Sequence, residues 1–296
     1  MRRKIIAQGL GGRTIFLPIR WVRENDLTPG DEVELVVNQK TIEIASTQKQ
    51  GLKKKIELQI KQVADVSTRM ILVNAYRAGF DTIEVAFDGR KQLLEEILSH
   101  YFIGFEITND KSPYIIEAVS EPDYENFEGM LQRLFYITQE AMSSLPNAGI
   151  EELVHKVQRY DNFLKRCISK GLYTPLASQF LWQFLSNLSQ IARICYHFNN
   201  DLMSKKMKLT KKEIGLLKEC QGMFDILKRA YLKNEMNLLQ DLHLLERKVV
   251  REEGKRELAK QATIALYHIL SLARMIYLAQ SPLLGILEMK NYAARA

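Results

Sequence analysis

Arg2, Arg3, Lys4, Arg13, Arg20 and Arg23 all precede the first carboxylate of the chain, Glu24. Fixed cations at this density neutralise phosphates and release their counterions. A guanidinium can in addition read the edge of a guanine. The plainer reading of Arg20 and Arg23 is a solvated helix face, because both fall in one short helical run. Taken together, the stretch reads as the part of the chain that touches something anionic. A second concentration of charge, Lys205, Lys206, Lys208, Lys211 and Lys212, lies between helical runs. It reads as a solvated loop, with DNA or an anionic membrane face as the alternative contact.

Residues for covalent or metal chemistry are not arranged for it. The sequence holds no P-loop, no G-x-G-x-x-G after a strand, no H-E-x-x-H and no G-x-S-x-G. His100, His155, His197, His243 and His268 are scattered without metal-ligand spacing, and His100 reads as a lone packed or surface residue. Cys167, Cys195 and Cys220 are odd in number and widely spaced, which predicts reduced thiols in an apolar core. We expect no enzyme and no catalytic residue.

The elements that must position the cations begin with residues 1–47. Lys4-Ile5-Ile6-Ala7 and Thr14-Ile15-Phe16-Leu17 are short β-prone runs, with Gly9, Gly11 and Gly12 supplying the turn. Pro18 suits a first helical position, and residues 19–26 give about two turns. Thr28-Pro29-Gly30-Asp31 ends them. Residues 32–37 alternate, Asn38-Gln39 turns, and Thr41-Ile42-Glu43-Ile44 returns as the second arm of a hairpin. So small a unit cannot easily bury its own apolar face, and pairing with a second copy solves that.

The order Gly12, Leu17-Pro18, Trp21, Leu27, Gly30-Asp31, Val33 and Leu35, followed by a hairpin, resembles the AbrB/SpoVT type of swapped-hairpin domain. The resemblance implies an interlaced homodimer that binds DNA through arginines and lysines. By position those are Arg2, Arg3, Lys4, Arg13, Arg20 and Arg23, with Leu17, Trp21 and Leu27 holding the fold.

Residues 48–58, with Lys53-Lys54-Lys55, read as a linker running into a helix that continues to about Ala78. Gly79-Phe80-Asp81 stops it. A strand at 82–86, a helix at 90–101 and strands at 102–108 and 114–119 follow, a short α/β linking segment over 48–122. From about 123 nearly everything carries helical periodicity. One three-helix set is predicted at 123–145, 150–171 and 175–203, and a second at 210–232, 234–252 and 255–281. Breaks fall near Lys233-Asn234 and at Gly254. Thr210 with Glu213 three residues on has a capping-box pattern. Leu188-Ser189-Gln190-Ile191-Ala192-Arg193 matches Ile269-Leu270-Ser271-Leu272-Ala273-Arg274, as a duplicated unit would.

A duplicated pair of three-helix bundles resembles the PhoU family, which modulates phosphate uptake and its signalling. The family places an acidic E-x-x-x-D pair on the third helix of each repeat to hold metal ions. Here those positions are Ser189 and Arg193, then Leu270 and Arg274. A guanidinium repels a hard cation, so no metal cluster and no cofactor are expected. Asp161 and Glu246 remain on the second helices, as solvated or salt-bridged acids. Arg193 and Arg274 either pair with carboxylates on neighbouring helices or bind phosphate or an acidic partner. The combined order looks like an archaeal-type PhoU-domain regulator.

At 296 residues the chain is long enough for two or three domains. Its 46% apolar content supports full cores, and its net charge of +7 favours anionic partners. The opening MRRKIIAQGLGG lacks the apolar run of a signal peptide, and no stretch approaches the roughly 18 consecutive apolar residues of a membrane span. These features predict a cytoplasmic protein without membrane insertion. The expected architecture is multidomain and mainly α. It has a small β-rich swapped-hairpin domain (1–47), a short α/β linking segment (48–122) and two consecutive three-helix bundles (123–207 and 208–296). The expected function is DNA-binding transcriptional regulation of phosphate uptake or phosphate-responsive genes. The alternative is a non-DNA-binding signalling adaptor that docks on a phosphate transporter or sensor protein; an antitoxin-like N-terminus fits the large body less well.

Overall fold

In the computed structural model, described over residues 2–9, 11–37, 42–46, 53–61, 63–171 and 175–293, the chain divides into two units, residues 1–55 and 56–296. Most of the described residues are helical, and the strands are short.

The first unit starts with β1 (Ile6–Gln8) paired antiparallel to β2 (Gly12–Thr14), in a register that sets Ala7 opposite Arg13. Gly9 and Gly11 both take positive φ in the intervening turn, a conformation that residues with a Cβ resist. The second arm ends at Thr14, earlier than the β-prone run predicts, and Pro18 stands at the N-cap rather than inside helix α1 (Ile19–Glu24). The Thr-Pro-Gly-Asp turn is closed by its own side chain: Asp31 Oδ2 accepts from Thr28 N at 2.6 Å and from Thr28 Oγ1 at 3.0 Å. Strands β3 (Val33–Val37) and β4 (Ile42–Ser46) form the expected hairpin, with Leu35 opposite Ile44 and Val37 opposite Ile42. Its Asn38-Gln39 turn lies outside the described residues. Leu17, Trp21 and Leu27 are half-buried, and no described residue of this unit is buried.

The second unit opens within β5 (Lys55–Ile60), where the sequence reads as a linker running into a helix. Ile56, Leu58 and Ile60 are progressively covered while Lys55, Glu57 and Gln59 face out. That is a period of two, and it decides for a strand. The helix begins only at α2 (Asp65–Arg77). Then come β6 (Thr82–Phe87), α3 (Lys91–Tyr101), β7 (Phe105–Asn109) and β8 (Tyr114–Ala118). They build one four-stranded sheet in the order β5-β6-β8-β7. Ile83, Val85 and Phe87 of β6 alternate inward.

Six longer helical segments follow: α4 (Phe127–Ser143), α5 (Ile150–Ser169), α6 (Pro175–Ser204), α7 (Lys211–Lys233), and, after α8 (Leu239–Glu246), a π-helical stretch (Arg247–Gly254) and α9 (Lys255–Lys260), the pair α10 (Ile264–Leu278) and α11 (Gln280–Ala293). Helices α4, α5 and α6 pack on one another, as do α7, α8 and α10, and α6 joins the two sets by packing on α10 and α11. The matched hexads lie on these two packed helices, with Leu188, Ile191 and Ala192 buried on α6 and Ile269, Leu272 and Ala273 buried on α10.

The expected break at Gly254 is absent. Helical backbone runs through it, and a Cβ there would lie 2.5 Å from Leu270 Cδ2. The glycine lets α10 approach, and the break falls at Gln261–Thr263, where Thr263 caps α10. Residues Ile264–Asn291 are long and apolar enough to cross a bilayer, with a mean hydropathy of 1.4 over the best window, but half of that window is buried inside this unit. Within this unit α10 packs on α6, α7 and α8, and α11 packs on α6.

Candidate nucleic-acid interface

Each cation that the sequence singles out is exposed. Arg2, Arg3 and Lys4 lead into β1, Arg13 sits in β2, and Arg20 and Arg23 lie one turn apart on α1. Residues three apart share a helix face, so α1 presents two guanidinium groups side by side. Arg20 Nε donates to Glu24 Oε1 at 2.6 Å, an exposed i,i+4 pair. Arg13 Nη1 donates to the carbonyl of Gly12 at 3.0 Å. Among the described residues Arg20 alone of these cations has a carboxylate partner. A solvated pair of this kind contributes little and breaks easily when a phosphate competes.

The same unit exposes Ile5, Ile15, Phe16, Ile19, Leu35, Val37 and Ile42, with Phe16 and Val37 each 72% exposed. Cations and bare apolar side chains therefore occur together on a unit with no buried residue among those described. The lysines between the two helical sets, Lys205 to Lys212, are also exposed, and Lys205 and Lys212 pair with Asp201 and Glu253.

The body holds its charges differently. Arg193 and Arg274 are exposed, and neither has a carboxylate partner among the described residues. The expectation of inter-helix ion pairs fails because Ala192 and Ala273 occupy the buried line, which turns the next residue about 100° outward. Ser189 is buried. Asp161 is fully buried between Lys165 and Arg77, whose nitrogens lie 2.8 and 3.1 Å from its oxygens. Burial raises the Asp161 pKa and lowers that of Lys165, each opposed by the partner's charge. Glu246 is buried as well, with Arg251 Nε at 3.4 Å. Among the described residues no group of three or more His, Cys, Asp or Glu side chains could hold a metal ion. His100 does not stand alone: its ring lies 4.4 Å from that of His155. Desolvation, with the neighbouring His100 charge, pushes the His155 pKa down. The three cysteines are free and buried, and burial pushes the thiols of Cys167 and Cys220 up to about 12.

Sequence reasoning missed the largest polar assembly. Arg166, on α5, is 0% exposed. Its guanidinium pairs with Asp81 and Glu121, donates to the carbonyls of Tyr76 and Phe80, and lies over the rings of Tyr76 and Phe105. Lys170 pairs with the same Asp81. These contacts join α5 to the sheet segment. The signal available in the sequence is the run Phe163 to Ile168, apolar except for Lys165 and Arg166, where a helix buried all round must carry its own counter-charges.

Comparison of the chain with protein-family models, with curated proteins and with solved structures gives no match.

Proposed function

We propose that the chain is a dimeric DNA-binding regulator whose residues 1–55 contact DNA and whose helical body receives a signal or a partner. The observation that carries this reading is the joint exposure of Arg2, Arg3, Lys4, Arg13, Arg20 and Arg23 on a unit that leaves Phe16, Leu35, Val37 and Ile42 uncovered. The apolar side chains call for a second copy. A second copy doubles the cationic face, as in the AbrB/SpoVT type of swapped-hairpin dimer that the sequence resembles. The two consecutive three-helix sets support a PhoU-like body, and through it regulation of phosphate uptake or phosphate-responsive genes.

Fluorescence anisotropy on DNA upstream of the chain's own reading frame tests the contact. Binding should weaken with salt, log K falling by about 0.9 per neutralised phosphate for each unit of log salt. Arg13→Ala with Arg20→Ala should weaken binding and flatten that slope by about 0.9 for each phosphate no longer neutralised, with the dimer retained. No binding at low salt overturns the reading. A retained dimer that does not bind DNA would instead favour a signalling adaptor that docks on a phosphate transporter or sensor protein.

A further inference from the structure

A cavity of about 660 Å³ opens within the second unit, over α5 and between α2 and α6. Its lining follows three helical stripes. Arg69 and Arg77 come from α2, Gln158, Asp161 and Lys165 from α5, and Ser189 and Arg193 from α6. Spacings of three, four, seven and eight residues put each set on one face of its helix, so the three faces converge. The volume lies inside the range of roughly 300–1,000 Å³ that holds small molecules.

The charge in this cavity is not balanced. Arg69, Arg77, Lys165 and Arg193 line it, against the carboxylates of Asp161 and Glu151. Asp161 is shared between Arg77 and Lys165, so it cannot also serve the other two cations. Arg69 donates to the hydroxyl of Tyr101 at 3.0 Å and lies over its ring, and it has no carboxylate partner among the described residues. Arg193 has none either. Gln158 adds an amide oxygen that is buried and has no hydrogen-bond partner. An amide can present its NH₂ group in place of that oxygen, so a modest side-chain shift would offer the cavity a donor from Gln158. Two planar guanidinium forks without an ion-pair partner, with the Ser189 hydroxyl and the Gln158 amide beside them, make a donor set for the several oxygens of a phosphate.

We infer that this cavity binds a small phosphate-type polyanion, held by Arg69 and Arg193 from opposite walls above the Asp161–Lys165–Arg77 floor. The site is separate from the cations of residues 1–55 and does not depend on DNA binding. Inorganic pyrophosphate is the probe, and citrate is the comparison that separates phosphate-type from carboxylate-type anions. The measurements are calorimetric titration of the full chain and its thermal midpoint. Pyrophosphate should bind saturably and raise the midpoint as ligand linkage requires. Arg193→Glu and Arg69→Ala should each weaken binding at least about tenfold, or about 1.4 kcal/mol. Arg193 is exposed, so Arg193→Glu should keep the unliganded midpoint of the parent, while Arg69→Ala also removes the Tyr101 contacts and is read against its own unliganded midpoint. Arg274→Ala, at the matching place on α10 and outside the cavity, should bind like the parent, as should Arg13→Ala with Arg20→Ala. The inference is overturned by the absence of any binding up to about 5 mM pyrophosphate. Tighter binding of citrate than of pyrophosphate, or an equal weakening in Arg274→Ala, also overturns it.

Discussion

At the scale of single residues the strongest constraint is Arg166. A guanidinium without solvent contact survives only because Asp81 and Glu121 neutralise it, two carbonyls accept from it and two rings cover it. Removing it takes the shared guanidinium from both carboxylates, leaving Asp81 with Lys170 and Glu121 with the Tyr124 hydroxyl. Breaking a buried network in this way costs about 3–5 kcal/mol. Arg166→Met should therefore destabilise the second unit by that amount, while Asp81→Asn, which keeps Glu121 as counter-charge, should cost less. Urea unfolding followed by circular dichroism measures both, and a change under about 1 kcal/mol for Arg166→Met would show that the sheet segment and α5 do not depend on the network. The residue was not legible in the sequence because arginine is ordinarily exposed, and pattern alone gives no sign that a particular one has two acids waiting 45 and 85 positions away. The exposed cations at the N-terminus are the opposite case. Their exposure follows from residue type, so their placement could be read directly.

At the scale of elements, the clearest local device is the start of α7. Thr210 and Glu213 form the capping box that their spacing predicts. Glu213 does a second job that spacing does not reveal. Its Oε1 accepts from the Thr263 hydroxyl at 2.6 Å, and Thr263 in turn caps α10 by accepting from Leu266 N. One carboxylate thus ties the N-termini of two helices that are fifty residues apart. Burial acts to raise its pKa, but the Thr263 and Thr210 hydrogen bonds win and hold it below the usual carboxylate value. A lowered folded-state pKa adds stability that is present above the unfolded value of about 4.3 and is lost as pH falls through the folded one. Glu213→Gln should cost about 1–2 kcal/mol at pH 7, and the gap between variant and parent should close below about pH 4. Thermal unfolding of both proteins from pH 3 to 7 checks the sign; a gap that widens in acid would refute it. The elements misread from sequence fail for equally local reasons. In β5 the alternation of Ile56, Leu58 and Ile60 was outweighed by the helical period that follows it. At Gly254 a residue that usually ends a helix instead makes room for Leu270. A long-range contact set its meaning, and no window of sequence contains that contact.

At the scale of the whole molecule the two units differ in self-sufficiency. The second has a continuous core from Ile60 to Leu287. The first has none among its described residues, although its hairpin brings Val37 opposite Ile42 with both side chains exposed. That contrast was partly legible, since a unit this small cannot close a core alone. Covering a side chain of this size is worth roughly 1.5–3 kcal/mol. In a two-fold arrangement each substitution counts twice, because the same patch occurs on both copies. Val37→Asp should then weaken self-association by about 3–6 kcal/mol, or roughly two to four orders of magnitude in Kd. Sedimentation equilibrium of the full chain at micromolar concentration should show a dimer for the parent and a monomer for the variant. Helical content should stay the same, because nearly all the helices belong to the second unit. DNA affinity should fall with the dimer even though Val37 carries no charge, since half of the cationic face departs with the partner. A variant that remains dimeric would place self-association elsewhere in the chain, and a monomeric variant that binds DNA as the parent does would separate the cations from the pairing they are argued to require.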